Sequence, residues 1–86
     1  MGETFDVIAV YDAELDNPEN PFPLDEKIAN ACIFGRFIGA GSDGCERDTQ
    51  YRFAERADAE TAAAEVVSIC LPSIVKVSVR EVTEAR

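Results

Sequence analysis

The chain has 86 residues, is 47% apolar and carries a net charge of −9, from 17 acids against 8 bases with no histidine. That length predicts one small domain spanning residues 1–86 and leaves no room for a second core. The missing imidazole removes the commonest general base along with histidine-dependent triads, and the negative charge opposes direct contact with phosphate backbones or anionic lipid.

The first predicted element is the strand "TFDVIAVY" (Thr4 to Tyr11), rich in β-branched and aromatic residues with apolar groups on both alternating sets, as a central strand requires. The loop "DAELDNPENPFP" follows, crowded with Asp, Asn and Pro. A helix is expected from about Pro23, with Asp25 and Glu26 complementing its dipole and Leu24, Ile28, Ala31 and Cys32 as the buried stripe. "IFGRFI" and "TQYRFAE" read as two strands joined by a glycine loop; Tyr51 and Phe53 alternate with Gln50 and Arg52. Asp58 is placed as the N-cap of "AETAAAEVVSICL", in which Ala59, Ala62, Ala63, Val66 and Cys70 share a face, and Pro72 stops that helix. "IVKVSVREV" closes the order, with Val75, Val77 and Val79 on one side and Lys76, Ser78 and Arg80 on the other.

The order β-α-β-β-α-β predicts an α+β, ferredoxin-like fold: a four-stranded antiparallel sheet with two helices on one face. Right-handed crossovers put its first and third strands in the middle. That architecture hosts many unrelated functions and specifies none.

"VVSICLPSIV", the longest uncharged apolar stretch, is too short to span a bilayer, and "MGETFDVIAV" lacks the basic start of a secretory leader, so a cytoplasmic protein is expected. Cys32, Cys45 and Cys70 have irregular spacings that spell neither a disulfide framework nor a zinc set. Cys32 and Cys70 fall on helix faces, whereas Cys45 sits in a polar loop and is the thiol expected to be reachable.

Residues 39–44, "GAGSDG", match G-x-G-x-x-G, but a dinucleotide site needs the glycines to open a helix, and here a strand follows. Gly39, Gly41 and Gly44 are instead expected to supply positive φ angles in a long hairpin connection. Asp12, Glu14 and Asp16 have the spacing of the first calcium-loop ligands, but Asn17 replaces the turn glycine and Pro23 the bidentate Glu. No metal, cofactor or catalytic residue is therefore predicted. "CIFGRFIG" echoes only faintly the aromatic octamer of RNA recognition motifs. Arg36, Arg52, Lys76 and Arg80 are expected on the open side of the sheet with Ile8, Val10 and Ile38, which favours a homodimer or partner contact, or a simple amphipathic sheet surface, over RNA. An intermolecular disulfide through an exposed cysteine is a further route to a dimer.

The acidity is uneven: residues 1–35 hold eight acids against one base, and residues 36–86 hold nine against seven. Asp12, Glu14, Asp16, Glu19, Asp25 and Glu26 form one candidate binding patch, and Asp43, Glu46 and Asp48 of the hairpin a second. Such a surface attracts basic partners, including those by which other proteins grip nucleic acid. In size, acidity, self-contained fold and lack of catalytic groups, the chain resembles the small anti-CRISPR proteins of phages, a group that shares no motif and spans many folds. The resemblance implies a non-enzymatic inhibitor, acting in the bacterial host, that blocks a basic DNA-contacting surface of a type I CRISPR-Cas surveillance complex, in some members by DNA mimicry. An acidic homodimeric interaction domain of another intracellular role fits the same composition.

Overall fold

Strand alternation and two helical stripes together produce the expected order. A computed structural model describes residues 3–14, 16, 18–71 and 73–83. It contains β1 (Glu3–Asp12), α1 (Asp25–Ala31), β2 (Arg36–Asp43), β3 (Glu46–Phe53), α2 (Arg56–Cys70) and β4 (Ile74–Thr83). The sheet runs β2-β3-β1-β4 with every pairing antiparallel, so β1 and β3 are central. Phe5, Val7, Ala9 and Tyr11 of β1 and Tyr51 and Phe53 of β3 point to one side. They pack there against Ile28, Ala31 and Cys32 from the α1 region and against Ala59, Ala62, Val66 and Cys70 of α2. Each large apolar side chain in this layer contributes roughly 1.5–3 kcal/mol by leaving water. The alanines of α2 keep that helix close to the sheet.

Several boundaries differ from the expected ones, each for a local reason. The first helix begins at Asp25 rather than Pro23: Asp25 N–H donates to the Phe22 carbonyl at 3.3 Å, closing a turn through Pro23 and Leu24. The second begins at Arg56, with Glu55 rather than Asp58 at its N-cap. Arg56 lies over the Phe5 ring at 5.1 Å and reaches Glu81 at 3.3 Å, which ties the first turn to the sheet. Strand β2 starts at Arg36 rather than Ile33, because Gly35 N–H donates to Cys32 O at 2.9 Å and closes a turn that leaves Ile33 and Phe34 exposed. A Cβ at Gly35 would lie 2.7 Å from the Phe53 ring, so only glycine fits this approach.

The glycine segment is also corrected. Gly39 and Gly41 lie within β2, paired with Gln50 and Asp48, and among the described residues only Gly44 has a positive φ, of 64°. The hairpin is tight, with Gly44 first and Cys45 second between Asp43 and Glu46, the glycine-first order of type II′ turns. An extra residue, Ile38, bulges between the Phe37–Tyr51 and Gly39–Gln50 pairs. Pro72, the expected helix stop, and Asn17 of the failed calcium pattern lie outside the described residues, as does the side chain of Val75.

Thr49 is 2% exposed, and its hydroxyl has no hydrogen-bond partner among the described residues. An unpaired buried hydroxyl costs about 1–3 kcal/mol, so Thr49→Val, which keeps the shape, is expected to stabilise the fold by about 1 kcal/mol. Thermal unfolding should then shift upward by roughly 4–8 °C in a chain of this size.

Candidate functional site

The antiparallel order brings the end of β1 beside the start of β3, because Asp12 pairs with Glu46 and Glu46 pairs across the hairpin with Asp43. Ala13 N–H donates to Cys45 O at 2.7 Å, which turns the following loop toward the hairpin tip. Glu14 N–H donates to Pro21 O at 2.8 Å and closes the loop that carries Asp16 and Glu19 back toward α1. All the carboxylates expected to bind a partner therefore belong to one end of the molecule. They divide into two groups there. Asp12, Glu46, Asp48 and Asp43 stand on the sheet face away from the helices, while Glu14, Asp16, Glu19 and Glu26 stand on the loop and α1; all eight are exposed.

Asp25 departs from its expected role. Its carboxylate accepts a hydrogen bond from the buried Tyr11 hydroxyl at 2.5 Å and pairs with Arg47 at 2.7 Å. Arg47 in turn lies 4.0 Å over the Phe22 ring. Burial, reinforced by the Asp25 contact, pushes the Tyr11 phenol well above its ordinary range, and the hydrogen bond to Asp25 holds Arg47 charged. Asp25 is thus the anchor that holds loop, helix and β3 together, and the acids around it are displayed because it is not. Among its sequence neighbours Arg47 is a lone base between acids; its partner became visible only once the loop was folded.

The opposite end of the same sheet face holds a group that sequence reasoning missed. Asp6, with no exposed surface, accepts hydrogen bonds from Arg52 at 2.7 and 3.0 Å and from Gln50 at 2.6 Å, and Arg80 lies 3.7 Å away. The Arg52 hydrogen bond holds the Asp6 carboxyl below its usual range against the opposing effect of burial, with Gln50 and Arg80 assisting. Arg36, opposite Arg52 in the ladder, completes a basic end. The expected grouping of Arg36, Arg52, Lys76 and Arg80 with Ile8 and Val10 on this side agrees with the strand register.

A shallow cleft of about 350 Å³ lies on the open face between Ile8, Ile38, Gly39, Gly41 and Gln50. Among the described residues no cluster of three or more His, Cys, Asp or Glu could hold a metal ion. Cys32 and Cys70 are buried and Cys45 is exposed, as expected. Burial, with Glu65 and Cys70 adding, pushes the Cys32 thiol up to about 11, and burial also raises Cys70. No helix among the described residues is long and apolar enough to cross a membrane.

No protein-family model matches the chain, and no curated protein does. Among solved structures it is similar to a NIPSNAP family protein of unknown function from Agrobacterium tumefaciens, with TM-score 0.50 and 16% identity over 96% of this chain and 89% of that one. A second crystal structure of that protein gives TM-score 0.51 and 15% identity over 95% and 94% of the two chains. At that identity the likeness concerns the fold alone. It agrees with the ferredoxin-like architecture.

Proposed function

We propose that the protein is a non-enzymatic inhibitor of the anti-CRISPR type, which lays its acidic end on a basic, DNA-gripping surface of a type I CRISPR-Cas surveillance complex in the host cytoplasm. The observation that supports this reading is the convergence of Glu14, Asp16, Glu19 and Glu26, with the acidic rungs of the sheet beside them, on one end of a small rigid scaffold. Carboxylates presented in this way approximate a row of phosphates. They attract a surface built for DNA, and binding should accelerate at low salt and weaken as ionic strength rises. Catalysis has no part in the reading, and direct contact with nucleic acid or membrane is opposed by the net charge of −9.

The test uses purified surveillance complexes of several type I subtypes and a labelled target duplex in a gel-shift assay. The chain is expected to prevent duplex binding by at least one subtype, with potency that falls as salt rises. The variant Glu14→Gln/Asp16→Asn/Glu19→Gln/Glu26→Gln should lose at least about tenfold in potency while keeping its fold. Equal potency of variant and wild type, or no effect on any subtype, overturns the reading.

A further inference from the structure

The sheet face opposite the helices carries opposite signs at its two ends. Along β1 the rungs run from Asp12 with Glu46, through Val10 with Asp48 and Lys76 and Ile8 with Gln50 and Ser78, to Asp6 with Arg52 and Arg80. Strand β2 adds Asp43 at the first end and Arg36 at the second. Like charges therefore stand directly opposite one another at both ends: Asp12, Glu46 and Asp43 across one, Arg36 and Arg52 across the other. Such neighbours destabilise an isolated sheet. Arg52 is held by Asp6, whereas Arg36 is exposed and has no carboxylate partner among the described residues. Between the charged ends, Ile8 and Ile38 border the cleft of about 350 Å³ above Gly39 and Gly41. A side chain at Gly39 would begin in open space, with nothing within 4 Å of its Cβ.

We propose that a second copy of this chain, inverted end for end, closes this face. A single occupant must bring bases to one end, acids to the other and apolar surface to the middle, and the inverted copy does all three. Face-to-face pairing needs a two-fold axis lying in the interface. An axis along the strands stacks acids on acids and arginines on arginines. The axis across the strands lays Asp43 and Glu46 of each copy over the Arg36 end of the other, with Asp48 one rung further in, and it sets β2 against β2, so that Ile38 of each copy enters the cleft above Gly39 and Gly41 of the other. Four strands ~4.8 Å apart and about eight residues long give roughly 500–600 Å² per copy, near the lower limit for a specific dimer. Glu14, Asp16, Glu19 and Glu26 lie outside the sheet face and stay open in the dimer, once at each end, whereas the acidic rungs beside them are covered.

Sedimentation equilibrium tests the pairing on the full chain up to about 0.1 mM, the range in which an interface of this size assembles. The wild type is expected to sediment as a dimer. Arg36→Glu, and separately Asp43→Arg/Asp48→Arg, should each weaken dimerisation by roughly tenfold to a hundredfold, because every interface then holds two like-charge contacts. An equimolar mixture of those two variants should regain wild-type affinity as a heterodimer, since the crossed pairs re-form. Gly39→Lys should be monomeric and should match the wild type in thermal stability at dilutions where the wild type is itself dissociated, which separates loss of pairing from loss of folding. A monomeric wild type, a mixture that stays monomeric, or Arg36→Glu and Gly39→Lys chains that dimerise normally would overturn the proposal. The outcome is distinguishable from failure of the inhibitor reading, because the loop-acid variant used there leaves this face intact and the Arg36→Glu chain leaves the loop acids intact.

Discussion

Replacing Asp6 with alanine is expected to lower the thermal midpoint by roughly 12–24 °C, since 1 kcal/mol is worth roughly 4–8 °C in a domain of this size. Asp6 accepts from Arg52 and Gln50 and attracts Arg80, and it has no exposed surface. Its removal leaves a guanidinium and an amide facing a space where no carboxylate remains, and breaking a buried pair in this way costs about 3–5 kcal/mol. The Arg52 side chain is 24% exposed and can turn toward water, which places the expected loss near the lower figure, about 3 kcal/mol. A folded state worth only about 5–13 kcal/mol gives up a large share of its margin. The pH dependence follows the same contact. Because Arg52 holds the folded-state pKa of Asp6 below its unfolded value of about 4, the stabilisation is present above that value and is lost as pH falls through the folded pKa. Asp6→Asn should therefore flatten the acid limb of stability against pH measured by urea unfolding. An unchanged acid limb would show that the contact is not formed in solution.

Asp25→Ala is the second large expected loss, about 2–3 kcal/mol. Its carboxylate is the partner of a buried phenol and of a guanidinium stacked on Phe22, so alanine orphans the Tyr11 hydroxyl and releases Arg47 from α1. The side chain of Asp25 is 33% exposed, and water screens part of the ion pair, which keeps the figure below that for Asp6. Tyr11→Phe combined with Asp25→Ala should recover part of the loss, because the buried donor is then removed together with its acceptor. A double-mutant cycle showing no coupling between the two positions would contradict the assignment. Stability and recognition should separate cleanly here: Asp25 changes the first, and the four loop and helix acids around it change the second.

The element order was legible because each element declares its period. Apolar residues on both alternating sets of β1 mark a central strand, and the alanine face of α2 marks a helix lying close to a sheet. The boundaries were less legible, because the contacts that set them are distant in sequence. Arg56 meets Phe5 and Glu81 before α2 can reach Asp58, and Gly35 must clear the Phe53 ring before β2 can start. Gly39 and Gly41 resemble turn residues in composition, yet the bulge at Ile38 allows them to remain in the ladder. The clustering of the candidate carboxylates followed from strand order, since one strand that ends at Asp12 and a neighbour that begins at Glu46 must share an end. Two assignments needed the folded chain. Asp6 sits among apolar neighbours in sequence and gains Arg52 and Arg80 only from strands on either side, and Asp25 belongs to the acidic run in sequence but in space is half-buried against the Tyr11 hydroxyl and Arg47.

The inhibitor reading requires an exposed row of negative charge to act on a DNA-binding machine in living cells. Plating efficiency of a CRISPR-targeted phage, on bacterial strains that each carry one type I system and express this chain, measures that action most directly. The wild-type chain should restore plaques to the level of an untargeted phage in at least one strain, and the chain neutralised at Glu14, Asp16, Glu19 and Glu26, expressed equally, should not. Full protection of the phage by the neutralised chain, or plaque counts unaltered by the wild type in every strain, would contradict it.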